Sequence, residues 1–163
     1  MPMINLLKIF FIFAFILTIP IIIICLILVW LEDGLPTVFV QKRLGKNKKQ
    51  FNLYKIRTMD KSTPSEATHN VSKSHHLKSA YYLRKFKIDE LPQLINYIKG
   101  DILLVGPRPG LPNQEELKKF RDRYNVFSVK PGITGLAQVL GYDMRNAELL
   151  AYVDSLYIKH RTI

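Results

Sequence analysis

The sequence predicts an α+β protein: a mainly helical domain with one small β-hairpin, attached to an N-terminal apolar helix. Three observations predict it. Residues 9–31 form an apolar run of 23 residues, relieved only by Thr18 and Pro20 and free of charge. Two β-rich stretches, 37–41 (TVFVQ) and 51–57 (FNLYKIR), flank a basic connection, the pattern of a hairpin. Further on, Leu91, Leu94, Ile95 and Ile98, and later Leu150, Val153, Leu156 and Tyr157, recur at helical spacing. The boundary is expected at residue 31, with a membrane segment over 1–31 and a cytosolic domain over 32–163.

The apolar run is long enough to cross a bilayer core as a helix. A secretory signal would have a shorter apolar core followed by a small-residue cleavage site, whereas Trp30-Leu31-Glu32-Asp33 follows here, so cleavage is not expected. Pro20, near the middle, deletes one backbone hydrogen bond and bends a helix. Two topologies follow: a single span with a tolerated proline, which composition favours, or a kinked helix that enters and leaves on one face. Lys42, Arg43, Lys46, Lys48 and Lys49 place the downstream side in the cytoplasm, where they gain from anionic membrane lipid. The first residues, with Lys8 and the amino group, are weakly positive as well and do not fix their own side.

The formal charge is +11. Up to Leu31 the only charged side chain is Lys8, which leaves 23 basic and 13 acidic residues, a net +10, in the remaining 132. That balance suits an anionic partner such as lipid headgroups or nucleotides. No recognition motif with interleaved aromatics accompanies it, so nucleic acid is not expected as a partner. Cys25 is the single cysteine; it excludes an internal disulfide, and its apolar setting argues against a thiol nucleophile.

In chain order, residues 32–36 read as a turn and 42–50 as the basic hairpin loop. Residues 60–79 are polar and Ser/Thr-rich, a loop whose His69, His75 and His76 read as solvated side chains rather than metal ligands. Residues 80–87 lead, helical or extended, to Asp89-Glu90, where a helix is expected to begin and to stop at Gly100 before a short apolar strand. Asn113 is a plausible N-cap for a helix through Tyr124, with Leu117, Phe120 and Tyr124 on one side. Residues 129–141 hold three glycines and a proline, a pattern for close backbone approach or for tight turns. A terminal helix covers 147–160.

Asp89-Glu90 has two readings. As structure, Asp89 caps a helix whose Pro92 fits the first turn. As chemistry, the pair is crowded by Arg84, Lys85 and Lys87 before it and Arg108 after it. A carboxylate held ionised by a helix N-terminus and arginines can act as a covalent nucleophile on phosphorus. Attack on a diphosphate then demands charge neutralisation by Mg²⁺ and arginines, with Glu90 helping to hold the metal. Arg108, between two prolines, offers a bidentate fork suited to phosphate.

At these residues the chain resembles the bacterial sugar transferases, the monotopic polyprenol-phosphate phosphoglycosyltransferases. The matching blocks are Val40-Gln41-Lys42-Arg43 with Leu44-Gly45, Phe51-x-x-Tyr54-Lys55-x-Arg57-Thr58-Met59, Asp89-Glu90-Leu91-Pro92-Gln93-Leu94, Lys99-Gly100-Asp101, Val105-Gly106-Pro107-Arg108-Pro109, and the run from Lys130-Pro131-Gly132 through Gly135 to Gln138-Val139. The resemblance implies transfer of a sugar 1-phosphate from a UDP-sugar to a membrane polyprenyl (undecaprenyl) phosphate, with Mg²⁺, through a covalent phosphosugar–aspartate. This reaction would begin glycan assembly on the cytoplasmic face of a bacterial inner membrane. By the same resemblance Asp89 is the nucleophile, Glu90 its partner acid, and Arg84, Arg108 and Arg57 are phosphate-handling groups; Asp154 and Gln138 are further candidates. It also implies a re-entrant membrane helix broken at Pro20, against the span that composition favours.

The chain departs from the family pattern at several places. Ile19 stands where serine is usual before the proline, with Thr18 one position away. The usual Lys-Arg-x-Phe-Asp start and the basic, glycine-containing pattern before Arg84 are absent, and Tyr142-Asp143 replaces Arg-Asn. The family's usual apolar C-terminal helix would lie beyond Ile163. A non-catalytic membrane-bound scaffold of the same fold is the alternative that these departures motivate.

Overall fold

The computed structural model describes residues 2–63 and 75–160, with side chains from Ile9 onward. The chain divides into two compact units, Met1–Gln41 with Tyr54–Ile98, and Lys42–Leu53 with Lys99–Ile163.

The first unit is built on α1 (Pro2–Asp33), of which Ile9–Asp33 is long and apolar enough to cross a membrane. Most of its described side chains are exposed; Cys25 and Val29 alone are buried, in a cluster with Ile56, Leu77, Ala80 and Leu83. The helix runs through Pro20 without interruption. Proline has no N–H to give the Ile16 carbonyl one turn back. The Thr18 hydroxyl donates to the Phe15 carbonyl instead (2.8 Å), so it does not replace the missing bond.

Gly34, at φ +65°, turns the chain out of α1. Strands β1 (Val38–Leu44) and β2 (Gln50–Ile56) form the expected hairpin, each running closer to the turn than the β-rich stretches suggested. The reversal is tight because Asn47 and Lys48 both take positive φ. Next come α2 (Ala80–Lys85), which buries Ala80 and Leu83, and α3 (Gln93–Lys99). The inner face of α3 is Gln93, Asn96 and Tyr97, while Leu91, Leu94 and Ile95 are half-buried and Ile98 is exposed. The apolar periodicity marks the helix but not its buried side. Asn96, fully buried, accepts the Tyr54 N–H of β2 (3.2 Å), and the Tyr97 ring packs edge-on against Phe11 of α1. A polar inner face is tolerated because its amide is used.

In the second unit, β3 (Leu103–Val105) runs parallel to β4 (Gly132–Thr134), with Leu103 opposite Gly132 and Val105 opposite Thr134. The glycines of 129–141 permit this approach. A Cβ on Gly132 would lie 2.1 Å from the Gly106 nitrogen, and one on Gly135 would lie 2.2 Å from the Gly106 oxygen. The close approach is therefore of backbone to backbone inside the fold, and the segment holds a strand and the short helix α5 (Leu136–Val139) rather than turns alone. Helix α4 (Glu115–Arg123) starts after Gln114, whose side chain accepts the Leu111 N–H, instead of at an Asn113 cap. Leu117, Ala137, Ala147, Leu150, Ala151 and Val153 form the core with α6 (Ala147–His160). Leu150 and Val153 are buried as their spacing predicts, and the Tyr157 hydroxyl donates to the Val105 carbonyl.

Gly132→Ala should cost about 3 kcal/mol, because backbone atoms, not a flexible side-chain end, occupy the space of the new methyl. Gly141→Ala, with no atom within 4 Å of its Cβ but φ +77°, should cost only about 1–2 kcal/mol. Denaturation midpoints of the two variants in detergent check the ranking.

Candidate active site

The turn that carries Asp89 is set by three residues. Helix α2 ends as Phe86 N–H bonds the Tyr82 carbonyl and Lys87 N–H bonds that of Arg84. Lys87 then takes a left-handed φ of 57°, which redirects the chain. Pro92 cannot give the Ile88 carbonyl the N–H that an α-helix would require, and Leu91 N–H takes that carbonyl at i−3 (3.1 Å). Ile88–Glu90 is accordingly a 3₁₀ turn, and α3 begins only at Gln93. The expectation that Asp89 opens and caps the helix is corrected: its side chain makes no capping bond, and the Oδ1 atom, buried, has no hydrogen-bond partner.

Asp89 is 7% exposed. Burial pushes its carboxyl above the usual carboxylate range; Lys55 opposes this most strongly, Glu90 adds to it, and Arg84 and Lys87 draw it back. Burial thus outweighs the cations, and α3 starts only at Gln93. Glu90 Oε1 accepts from Lys55 Nζ at 3.0 Å in a largely buried pair. Arg84 is fixed on two sides: its Nε and Nη2 donate to the Thr58 hydroxyl (2.9 and 2.8 Å), and its Nη1 lies 3.1 Å from His76 Nε2. Since a guanidinium only donates, Nε2 accepts, and this bond requires a neutral His76 with its proton on Nδ1. Burial lowers the Arg84 pKa, and Asp89 opposes that shift.

The first unit therefore assembles Asp89, Glu90 and Arg84 with Lys55 and Thr58, which sequence reasoning did not assign, and with His76, whose reading as a solvated side chain is corrected: it is half-buried against Arg84. The signal for Lys55 and Thr58 was their place in the block with Arg57. His75 lies 3.0 Å from Asp60 Oδ2, and His69 is outside the described residues. Arg57 has its observed contacts at the end of α1: Nη2 bonds the Asp33 carboxylate (2.9 Å) and the carbonyls of Asp33 and Gly34. Its Nε and Nη1 are buried without partners. Pro20 lies in α1, inside the apolar run.

The other candidates lie in the second unit. Arg108 is half-buried between the buried Pro107 and Pro109, and its phosphate-binding expectation rests on sequence. Gln138 donates to the Ile133 carbonyl, with its Oε1 buried and unpartnered. Asp154, 2% exposed, is paired at 2.7 Å with Arg121, 3% exposed, which joins α6 to α4. The observed role of that pair is structural, since either partner alone would be an uncompensated buried charge. Chemically, a buried carboxylate with an unpartnered oxygen among Lys55, Arg84 and Lys87 is suited to an anionic electrophile.

The Asp89 shift fixes a stability prediction. Its folded pKa lies above the unfolded value, so ionisation destabilises the fold: the effect is absent below about pH 4 and complete above the folded pKa. Asp89→Asn should melt at a higher temperature than the parent at pH 8, with the gap closing toward pH 4. A variant less stable than the parent at pH 8 would contradict the assignment.

Comparison with known proteins adds four findings. Residues 4–163 match the family model described as bacterial sugar transferase. The uncharacterized sugar transferase EpsL of Bacillus subtilis is 40% identical over 90% of this chain and 72% of its own length. An undecaprenyl-phosphate galactose phosphotransferase of Salmonella typhimurium is 34% identical over 81% of this chain and 31% of its own. A UDP-N-acetylgalactosamine-undecaprenyl-phosphate N-acetylgalactosaminephosphotransferase of Aeromonas hydrophila is 32% identical over 86% of this chain and 35% of its own. The chain thus spans about a third of the length of these two longer relatives.

Proposed function

Because the chain belongs to the bacterial sugar transferase family, we propose that it is a membrane-associated phosphoglycosyltransferase acting at the cytoplasmic face. It moves a sugar 1-phosphate from a UDP-sugar to a polyprenyl phosphate through Asp89. The observation that carries this reading is the buried Asp89 carboxyl, with one oxygen free of hydrogen bonds and Lys55, Arg84 and Lys87 acting on it.

In the proposed reaction an Asp89 oxygen attacks the sugar-bearing phosphorus, and the bond from that phosphorus to UMP breaks, UMP leaving as a phosphate anion. An oxygen of the polyprenyl phosphate then attacks the same phosphorus, and Asp89 departs as the carboxylate. No proton is consumed, so Asp89 must only be ionised. Its raised pKa puts the acid limb of the rate profile above the ordinary carboxylate range.

Arg84, held by Thr58 and His76, presents a fixed guanidinium to phosphate oxygens. Lys55 holds Glu90 in place beside the nucleophile. Among the described residues no three His, Cys, Asp or Glu side chains form a metal cage. Magnesium characteristically binds one or two carboxylates plus substrate phosphates, and the unpartnered Asp89 oxygen and the adjacent Glu90 fit that mode. The ion would supply charge neutralisation on the diphosphate. Anchoring is proposed through α1 as a re-entrant helix or a span; its apolar length supports membrane association under either topology.

The test is UMP release by the detergent-solubilised protein with Mg²⁺, undecaprenyl phosphate and a panel of UDP-sugars. Release is expected with at least one sugar and should fall by about 10⁴-fold or more in Asp89→Asn. Undiminished turnover in that variant would remove Asp89 as nucleophile. No release from folded protein across the panel would favour the scaffold reading.

A further inference from the structure

Arg43 stands apart from the other cations of the hairpin. Lys42, Lys46, Lys48 and Lys49 are exposed, whereas Arg43 is half-buried. Its Nη1 donates to the Pro109 carbonyl at 2.9 Å, 66 residues along the chain. The lipid contact expected of all five does not account for a guanidinium spent on a backbone carbonyl.

That carbonyl belongs to the segment of the second unit that carries Arg108. Pro107 and Pro109 offer carbonyls but no N–H, so a regular strand ladder cannot hold the segment. It is pinned instead on either side of Arg108. Before it, the Gly106 N–H donates to the Thr134 carbonyl (2.8 Å) and the Pro107 carbonyl accepts the Gly132 N–H (3.0 Å). After it, the Pro109 carbonyl accepts from Arg43 and the Gly110 carbonyl accepts the Leu44 N–H (2.9 Å). Arg108 is thereby held between β4 and the end of β1, and Pro109 restricts its backbone to extended conformations. Of these four bonds only that of Arg43 comes from a side chain. The hairpin end it reaches from is braced in turn, since Lys48 Nζ pairs with Asp122 of α4 at 2.7 Å.

We infer that Arg43 is a positioning residue for Arg108. By holding the Pro109 carbonyl it fixes the backbone that aims the Arg108 guanidinium, and it does so without touching substrate. A bidentate contact between guanidinium and phosphate depends on that aim, because a displacement on the order of 1 Å costs most of its benefit. The inference rests on the reading of Arg108 as a phosphate-binding group of the proposed transfer. It adds the group through which the hairpin serves that arginine.

The test is a double-mutant cycle on binding of UDP with Mg²⁺, the portion common to UDP-sugars. The full chain in detergent is titrated calorimetrically as parent, Arg43→Met, Arg108→Met and the double variant. Each single change should weaken UDP by about tenfold, and Arg43→Met should cost less than about twofold once Arg108 is gone. Arg43→Lys, which keeps a donor without the planar fork, should cost less than Arg43→Met and replaces it if that variant misfolds. Arg108→Lys takes the place of Arg108→Met if the latter abolishes binding. Weakening by the same factor in both backgrounds would make Arg43 a general brace of the fold and overturn the inference. No effect of Arg43→Met beside a clear effect of Arg108→Met overturns it too, and leaves the phosphate-binding reading of Arg108 standing. No effect of Arg108→Met, or no UDP binding by the parent, removes that reading and the inference together.

Discussion

Pro92 lacks an N–H, and the arrangement of Asp89 follows from that single omission, which leaves the Ile88 carbonyl to the N–H of Leu91. With the α-helical ladder interrupted there, Ile88–Glu90 closes as a 3₁₀ turn and α3 starts only at Gln93. Asp89 is carried into the unit without a capping bond to make. One of its oxygens is left without a hydrogen bond, and burial raises the proton affinity of the group. A buried, unsatisfied carboxyl is costly to fold. The lysine and arginine around it limit that cost without cancelling it, and the proposed reactivity toward phosphorus would offset the remainder.

The supports of that turn are also local. Thr58 and His76 fix the guanidinium of Arg84, and Lys55 fixes Glu90, so both residues beside Asp89 are held by other side chains of the same unit. The end of α1 is tied in the same way. Arg57 binds the Asp33 carboxylate and two carbonyls, while Glu32 receives the first N–H groups leading to α2. The apolar helix and the chemical turn thus belong to one unit through short, mostly charge-assisted bonds, which are stronger than neutral ones.

Much of this was legible in the sequence. The apolar run, the hairpin and the terminal helix follow from length, alternation and spacing, because each buries or exposes whole faces. The family was legible because six blocks recur in order. What was not legible depended on partners far apart in sequence. Leu91, Leu94, Ile95 and Ile98 mark a helix, yet its inner face is polar because Asn96 satisfies an N–H of β2, a contact that periodicity does not encode. The contacts of Arg57 with Asp33 and Gly34, and of Asp154 with Arg121, likewise join residues far apart in sequence and could not be read from it. The glycines around Gly132 signalled close approach correctly, but not that the approaching group was the backbone of Gly106.

The central claim is that Asp89 becomes covalently attached to the transferred group. The most direct measurement is the intact mass of the protein after mixing with Mg²⁺ and its UDP-sugar donor in the absence of polyprenyl phosphate, followed by peptide mapping. The account predicts a mass gain of one sugar phosphate, located on Asp89 and discharged when polyprenyl phosphate is added. Continued turnover with no adduct, or an adduct on another residue that forms and discharges at the turnover rate, would contradict it.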